Sequence, residues 1–259
     1  MSEEKQLIIE YNGIQYQRIP VKTKVIVTGD DIASVVAEFV AGKLEAGDLV
    51  FISEKAVACS QGRSIPLTEI KPGFWAKRLS KYVTRTPHGI GLGMPETMEM
   101  AIQECGLPKI LAASCVGAVG KLLGRKGDFY RVAGDKAASI DGPTPYTIAP
   151  YNKCVTLGPK DPDKVAKVIA AKIGAPVAIV DINDLGGKVL GASFGGSGAA
   201  GTKSETGAAV AAGTAGTAGA AGSPGAGEWM DRDSIVGILK DNPLGQGSQQ
   251  TPLGIIRRA

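Results

Sequence analysis

The sequence predicts a mixed α/β fold, more irregular than a doubly wound parallel sheet. Three observations carry that expectation. Short apolar runs of strand length alternate along the chain with amphipathic runs of helical period. No segment repeats at a fixed spacing. With 259 residues and 44% hydrophobic content, the chain can bury a substantial core without disulfides.

The opening segment "QLIIEYNGIQYQRIPV" alternates apolar and polar residues on either side of Asn12-Gly13, two residues that readily take positive φ. It predicts a β-hairpin. In "TGDDIASVVAEFVAGKL", acidic residues are expected in the first turn, with Ile32, Val35, Val36, Phe39 and Val40 at helical spacing, the pattern of an amphipathic helix. Leu49 to Ile52 reads as a short buried strand, followed by a polar and charged loop that ends at Gly62-Arg63. Helices are expected at 74–85, 95–105 and 108–123, and strands at 129–133 and 153–157. A further helix at 162–173 opens on "DPDK", and "APVAIVDINDLGG" forms an apolar strand that ends at Asp181 and Asp184.

Residues 195–227 consist almost entirely of Gly, Ala, Ser and Thr, which bury too little apolar area to offset the entropy of ordering them. They are expected to form a disordered insert. The domain expectation is therefore an α/β domain over 1–194, this insert, and a C-terminal segment over 228–259 packing on the main domain. In that last segment Asp231 or Asp233 caps a short helix "DSIVGILKD" that stops at "NPLG", and the remaining tail reads as a loop lying on the body.

Charge and composition exclude several classes. The net charge of +4 is dispersed, no block of Lys/Arg occurs, and aromatics make up 5%, so nucleic-acid binding is not expected. The apolar stretch "ILAASCVGAVGKLLG" is interrupted at Lys121, short of the roughly 20 residues a membrane span needs, and is expected as a buried helix. Four widely spaced cysteines, no Cys-x-x-Cys and a charged start "MSEEKQ" lead to the expectation of a reduced, cytoplasmic protein. His88 is the single histidine, which excludes a multi-histidine zinc site and leaves oxygen-ligated cations such as Mg²⁺, Mn²⁺ or Ca²⁺.

Asp181 and Asp184 close a buried strand, and Asp141 precedes the Gly142-Pro143 turn. Such carboxylates from strand ends can hold hard cations or merely cap turns, and spacing leaves both readings open, as it does for Asp135. The stretch "TPHGIGLGMPETM" offers backbone N–H groups and His88 to an anion, yet it lacks the Gly-Lys-Ser/Thr of a phosphate loop and follows no strand. A flexible loop and a structural His88 are the simpler readings. Structural burial is the expectation for the cysteines, Cys105 and Cys115 falling on apolar helical faces, with Cys59, near Glu54 and Lys55, the one thiol to watch for reactivity.

"GDDIA", then "GDLVFISEKAVACSQGRSIPLTEIKP" and "AKRL", together with "VAGDKAASIDGP", "GPKDPDKVAKVI" and "VAIVDIND", resemble the coenzyme F420-0:γ-glutamyl ligases in order and spacing. The resemblance is continuous over 18 to about 80, patchy over 85–127, and returns beyond. It implies a mixed α/β ligase fold, a homodimer, GTP as co-substrate, and Mn²⁺ or Mg²⁺. It also implies amide formation between glutamate and a small-molecule carboxylate by way of an acyl phosphate. Residue by residue, it implies Asp141 and Asp181 as metal ligands, with Asp135 the alternative to Asp141 if the gap slides, and Arg18, Ile19, Pro20, Glu54 and Lys55 as nucleotide contacts. The chain departs from the family at Cys59, where a lysine is expected, at Ile182, where a threonine is expected, and in "NDLGGKVLGAS", which replaces an arginine-bearing element. The family's long C-terminal half is absent or replaced by the insert and tail. These departures motivate the alternative expectation of a non-catalytic ligand-binding module that keeps the fold.

Overall fold

The structure is a computed structural model, and it describes residues 6–83, 91–125, 127–145, 147–183, 186–194, 231–245 and 249–259. His88, Asp184 and the Gly/Ala-rich insert lie outside the described residues.

A six-stranded sheet organises the chain in the order β1-β2-β8-β3-β6-β7, where β1 is Ile8–Tyr11, β2 Ile14–Val21, β3 Leu49–Ser53, β6 Val177–Asn183, β7 Gly186–Ser193 and β8 Leu253–Arg258. The predicted hairpin forms β1 and β2, with Asn12 at φ 52° and Gly13 at φ 76°. Such a turn matches the strands' own twist. Among the described strands only β3 and β6 run parallel. One face of the sheet packs Val50, Ile52, Val177, Ile179 and Ile255 against α1 (Ile32–Val40) and α8 (Pro162–Ile173). The other packs Tyr16, Phe51, Ala178 and Ile256 against Ile235, Ile238 and Leu239 of α9 (Arg232–Leu239). The predicted cap of α9 is Asp231, which accepts from the N–H groups of Asp233 and Ser234; the acids expected in the first turn of α1 instead precede it, Asp31 capping the helix by accepting from the Ala33 N–H.

A second cluster, built on Leu92, Met98, Ala101, Ile110, Ala133, Ile140 and Val155, joins α3 (Phe74–Leu79), α4 (Pro95–Cys105), α5 (Leu107–Leu122), α6 (Asp128–Ala133) and α7 (Asp135–Ala138). It covers the two-stranded sheet of β4 (Ser64–Pro66) and β5 (Cys154–Thr156). Among the described residues no single helix is long and apolar enough to cross a membrane; α4 and α5 are bent by 118° at their junction.

Several expectations are corrected. Residues 54–60 form a helix, α2 (Glu54–Ser60), in place of a loop, because Ala56, Val57 and Ala58 bury against the sheet layer. The segment 128–133 is helical, not extended: its β-prone aromatics pack as α6 on α5, and Phe129 Cβ comes within 3.0 Å of where a side chain on Gly117 would begin. Helix α5 buries only Ile110, Ala113 and Gly120, leaving Val116, Val119 and Leu122 exposed, so it is not the buried helix its hydropathy suggests. The expected 74–85 helix ends at Leu79 and gives way to a 3₁₀ turn over Ser80–Tyr82. The tail is no surface loop. Its last residues become β8, in the middle of the sheet between β2 and β3.

Candidate functional site

Strand pairing builds the site. In the parallel pair, Ser53 stands beside Val180, so the next residues, Glu54 and Asp181, leave the same edge of the sheet together. The carboxyl ends of parallel strands are where α/β sheets place ligands. Glu54 is the first residue of α2, and Asp181 is still within β6. A third carboxylate comes from the second layer. Asp141 follows α7 and exchanges both backbone hydrogen bonds with Thr156, at 2.9 Å each, which pins it to the small sheet.

Lys55 links the two layers, its Nζ 2.8 Å from Asp141 Oδ2. Across the β6/β7 hairpin, Lys188 stands opposite Asp181 and pairs with Asp135, Nζ to Oδ1 2.8 Å. Asp135 is 81% exposed at its side chain, so of the two alternatives it is Asp141 that faces Glu54 and Asp181.

The electrostatics reflect crowding of negative charge. Glu54 is only 5% exposed, and its Oε2 is buried without a hydrogen-bond partner. Burial, then the charges of Asp181 and Asp141, push its carboxyl from 4.5 up to about 8, with Lys55 opposing. Asp181 is raised by burial and by Asp141, against the pull of Lys55 and Lys188. For Lys55, burial works against the ammonium, but Asp141, Glu54 and Asp181 prevail and hold it above its ordinary value. Tyr130 on α6, raised by burial and by the charge of Asp141, hydrogen-bonds the backbone of Leu92, which brings the end of the glycine-rich stretch beside the cluster.

Oxygen donors fit a hard divalent cation, and the orphaned Glu54 oxygen is a donor with nothing to bind. Among the described residues, however, no three acidic, cysteine or histidine side chains already stand in metal-holding positions. Lys55 occupies Asp141 instead.

The remaining predicted residues sit elsewhere. Through Ile256, Arg18 lies level with Leu49 at the start of β3, about 16 Å down the strand direction from Glu54. It is fully buried on the α9 face, where Nη2 donates to Asp241 Oδ2 at 3.0 Å and Nη1 to the Ile238 carbonyl at 3.0 Å. Ile19 packs toward α1 and α8, and Pro20 pairs with Gly254 of β8. Cys59 is buried, shares a hydrogen bond with Ser64 Oγ at 3.2 Å, and has its thiol pushed up by burial, so it is not an activated nucleophile. Cys115, expected to be buried, is exposed. Lys188 was not singled out from the sequence, because β7 hides in the glycine-rich "GGKVLGAS", whose Gly186 and Gly187 pair with Asn183 and Ile182 of β6 without any side chain to signal a strand.

A family model described as F420-0:Gamma-glutamyl ligase matches residues 20–200. The Coenzyme F420:L-glutamate ligase of Methanopyrus kandleri is 27% identical over 196 residues, 71% of this chain and 67% of that protein. An uncharacterized protein of Methanocaldococcus jannaschii is 36% identical over 74 residues, 25% of either chain. The chain thus spans a quarter of one relative and about two thirds of the other.

Proposed function

Since the chain belongs to the F420-0:gamma-glutamyl ligase family, we propose that it is a GTP- and divalent-cation-dependent ligase joining glutamate to a small-molecule carboxylate. The observation that carries this reading is the convergence of Glu54, Asp141 and Asp181 with Lys55 at the carboxyl edge of β3 and β6, all inside the matched region.

The proposed reaction has two displacements. An oxygen of the substrate carboxylate attacks the γ-phosphorus of GTP, releasing GDP and leaving an acyl phosphate; the glutamate nitrogen then attacks the acyl carbon, phosphate departs, and the amine proton is lost. A Mn²⁺ or Mg²⁺ ion at this site supplies neutralisation of the phosphate charge. Asp141 and Asp181 hold that ion in this reading. Lys55 and Lys188, each half exposed, present positive charge to the anionic groups of nucleotide and substrate. The enzyme acts as a cytoplasmic homodimer.

A second reading is favoured by two features of the site. Cys59, held neutral against Ser64, brings no charge, and Ile182 packs into the core beside α9 where a hydroxyl ligand would be useful. These fit a non-catalytic binding module on the same fold. Incubation with GTP, Mn²⁺, glutamate and coenzyme F420-0, followed for GDP and for amide product by mass spectrometry, separates the two. Product formation that needs both GTP and metal supports the ligase; nucleotide binding without turnover across a panel of small carboxylates supports the module.

A further inference from the structure

Glu54 is the unusual member of the cluster. Asp141 is neutralised by Lys55, and Asp181 faces Lys188 across the hairpin, but one oxygen of Glu54 is buried with no donor at all. Leaving a buried carboxylate oxygen unsatisfied is costly, and such an atom persists where a ligand completes it. The residue is 95% removed from solvent, sits in the first turn of α2, and is held by β3 at the same edge as Asp181. Asp181 leaves the same sheet edge and Asp141 is tied to the adjacent Lys55, so a ligand that completes this oxygen among carboxylates is a cation.

The cluster already contains one cation, the Lys55 ammonium, and it stands on Asp141. Lys55 follows Glu54 directly, and its side chain is half exposed, so it can swing outward without disturbing the core. That explains why Glu54 and Asp181 leave one sheet edge, with Asp141 tied to it through Lys55, and yet the three carboxylates do not form a ready metal cage.

We infer that Glu54 is a divalent-metal ligand together with Asp141 and Asp181, and that Lys55 is an internal stand-in for the metal, displaced from Asp141 when the ion enters. This builds on the proposed metal dependence and assigns Glu54 to the ion instead of the nucleotide. Metal entry and release of an ammonium at the rim are then a single exchange of charge, in which Asp141 keeps a cationic partner in both states and Glu54 gains one.

The test uses Mn²⁺ alone, without nucleotide, titrated into the full chain and read by the electron paramagnetic resonance of free Mn²⁺. Wild type is expected to bind one ion, Glu54→Gln to bind it at least tenfold more weakly, and Lys55→Met at least threefold more tightly, since its competitor for Asp141 is gone. Circular dichroism confirms that each variant is folded, and Glu54→Asp, which keeps the charge, should lie between wild type and Glu54→Gln. Binding by wild type with no loss in Glu54→Gln overturns the ligand assignment while leaving the metal reading intact. Unchanged or weaker binding in Lys55→Met overturns the exchange. Absence of Mn²⁺ binding in wild type overturns both this inference and the metal dependence from which it proceeds.

Discussion

Replacing Glu54 by Gln should change how stability depends on pH, not only its value. In the folded protein the Glu54 carboxyl is raised from 4.5 to about 8 by burial and by Asp181 and Asp141. Folding therefore forces a proton onto this group wherever the unfolded chain has released it. The protonated group's contribution to stability is fully present below pH 4.5 and is lost as pH climbs through about 8. At about 1.4 kcal/mol per pH unit, the loss reaches about 3 kcal/mol at pH 7. Gln has the same shape and no charge, so Glu54→Gln escapes this term, although it keeps a fixed offset from its own amide hydrogen bonds. Asp181 titrates in both proteins. Urea unfolding in EDTA at half-unit steps from pH 4.5 to 8.5 should show the variant gaining on wild type steadily, by about 2 to 3 kcal/mol between the lower end and pH 7. Two curves that run parallel within about 0.5 kcal/mol would refute the placement of Glu54 as an uncompensated buried carboxyl.

Other outcomes follow from the same geometry. Arg18→Met should destabilise the protein by about 1 to 3 kcal/mol in urea, because it removes the buried guanidinium donor to the Ile238 carbonyl of α9. Asp141→Asn should free Lys55 and weaken metal-dependent nucleotide binding at least tenfold, about 1.4 kcal/mol, by calorimetry. Asp135→Asn, whose carboxylate only meets Lys188 at the exposed rim, should change that binding by less than about threefold in the same assay.

Much of the fold is legible where a local signal has one physical meaning. Asn12-Gly13 fixes the first hairpin, apolar periodicity fixes α1, an acidic cap fixes α9, and the unbroken apolar run fixes β6. What escapes the sequence depends on partners far along the chain. The strand β8 contains Gly254, which reads as a breaker, yet a side chain there would begin 2.6 Å from the Phe51 ring, so the central sheet position demands glycine. Gly191 in β7 has the same logic, since a Cβ would meet the Pro162 backbone at 2.3 Å where α8 crosses the strand. The aromatics of α6 favour a strand until α5 offers them a helical surface.

The site divides in the same way. Asp141 and Asp181 are visible as acids at the ends of apolar or turn-bounded segments, and the resemblance to the ligases ranks them above Asp135 and Asp184. Glu54 belongs with them only once β3 and β6 are known to run parallel with Ser53 beside Val180. Arg18, grouped by resemblance with the nucleotide contacts, turns out to be spent on α9, because its position on β2 points it to the opposite face from Ile19. Sequence spacing cannot carry that information, since alternate strand residues face opposite ways and register decides which face is which.

The most direct test of the central claim is calorimetric titration of GTP into wild type and Asp181→Asn, each with and without Mn²⁺. The account predicts GTP binding that requires Mn²⁺ in wild type and weakens at least tenfold, about 1.4 kcal/mol, in Asp181→Asn. GTP binding that is indifferent to Mn²⁺, or equally tight in Asp181→Asn, would contradict a cation-dependent nucleotide site at Glu54, Asp141 and Asp181.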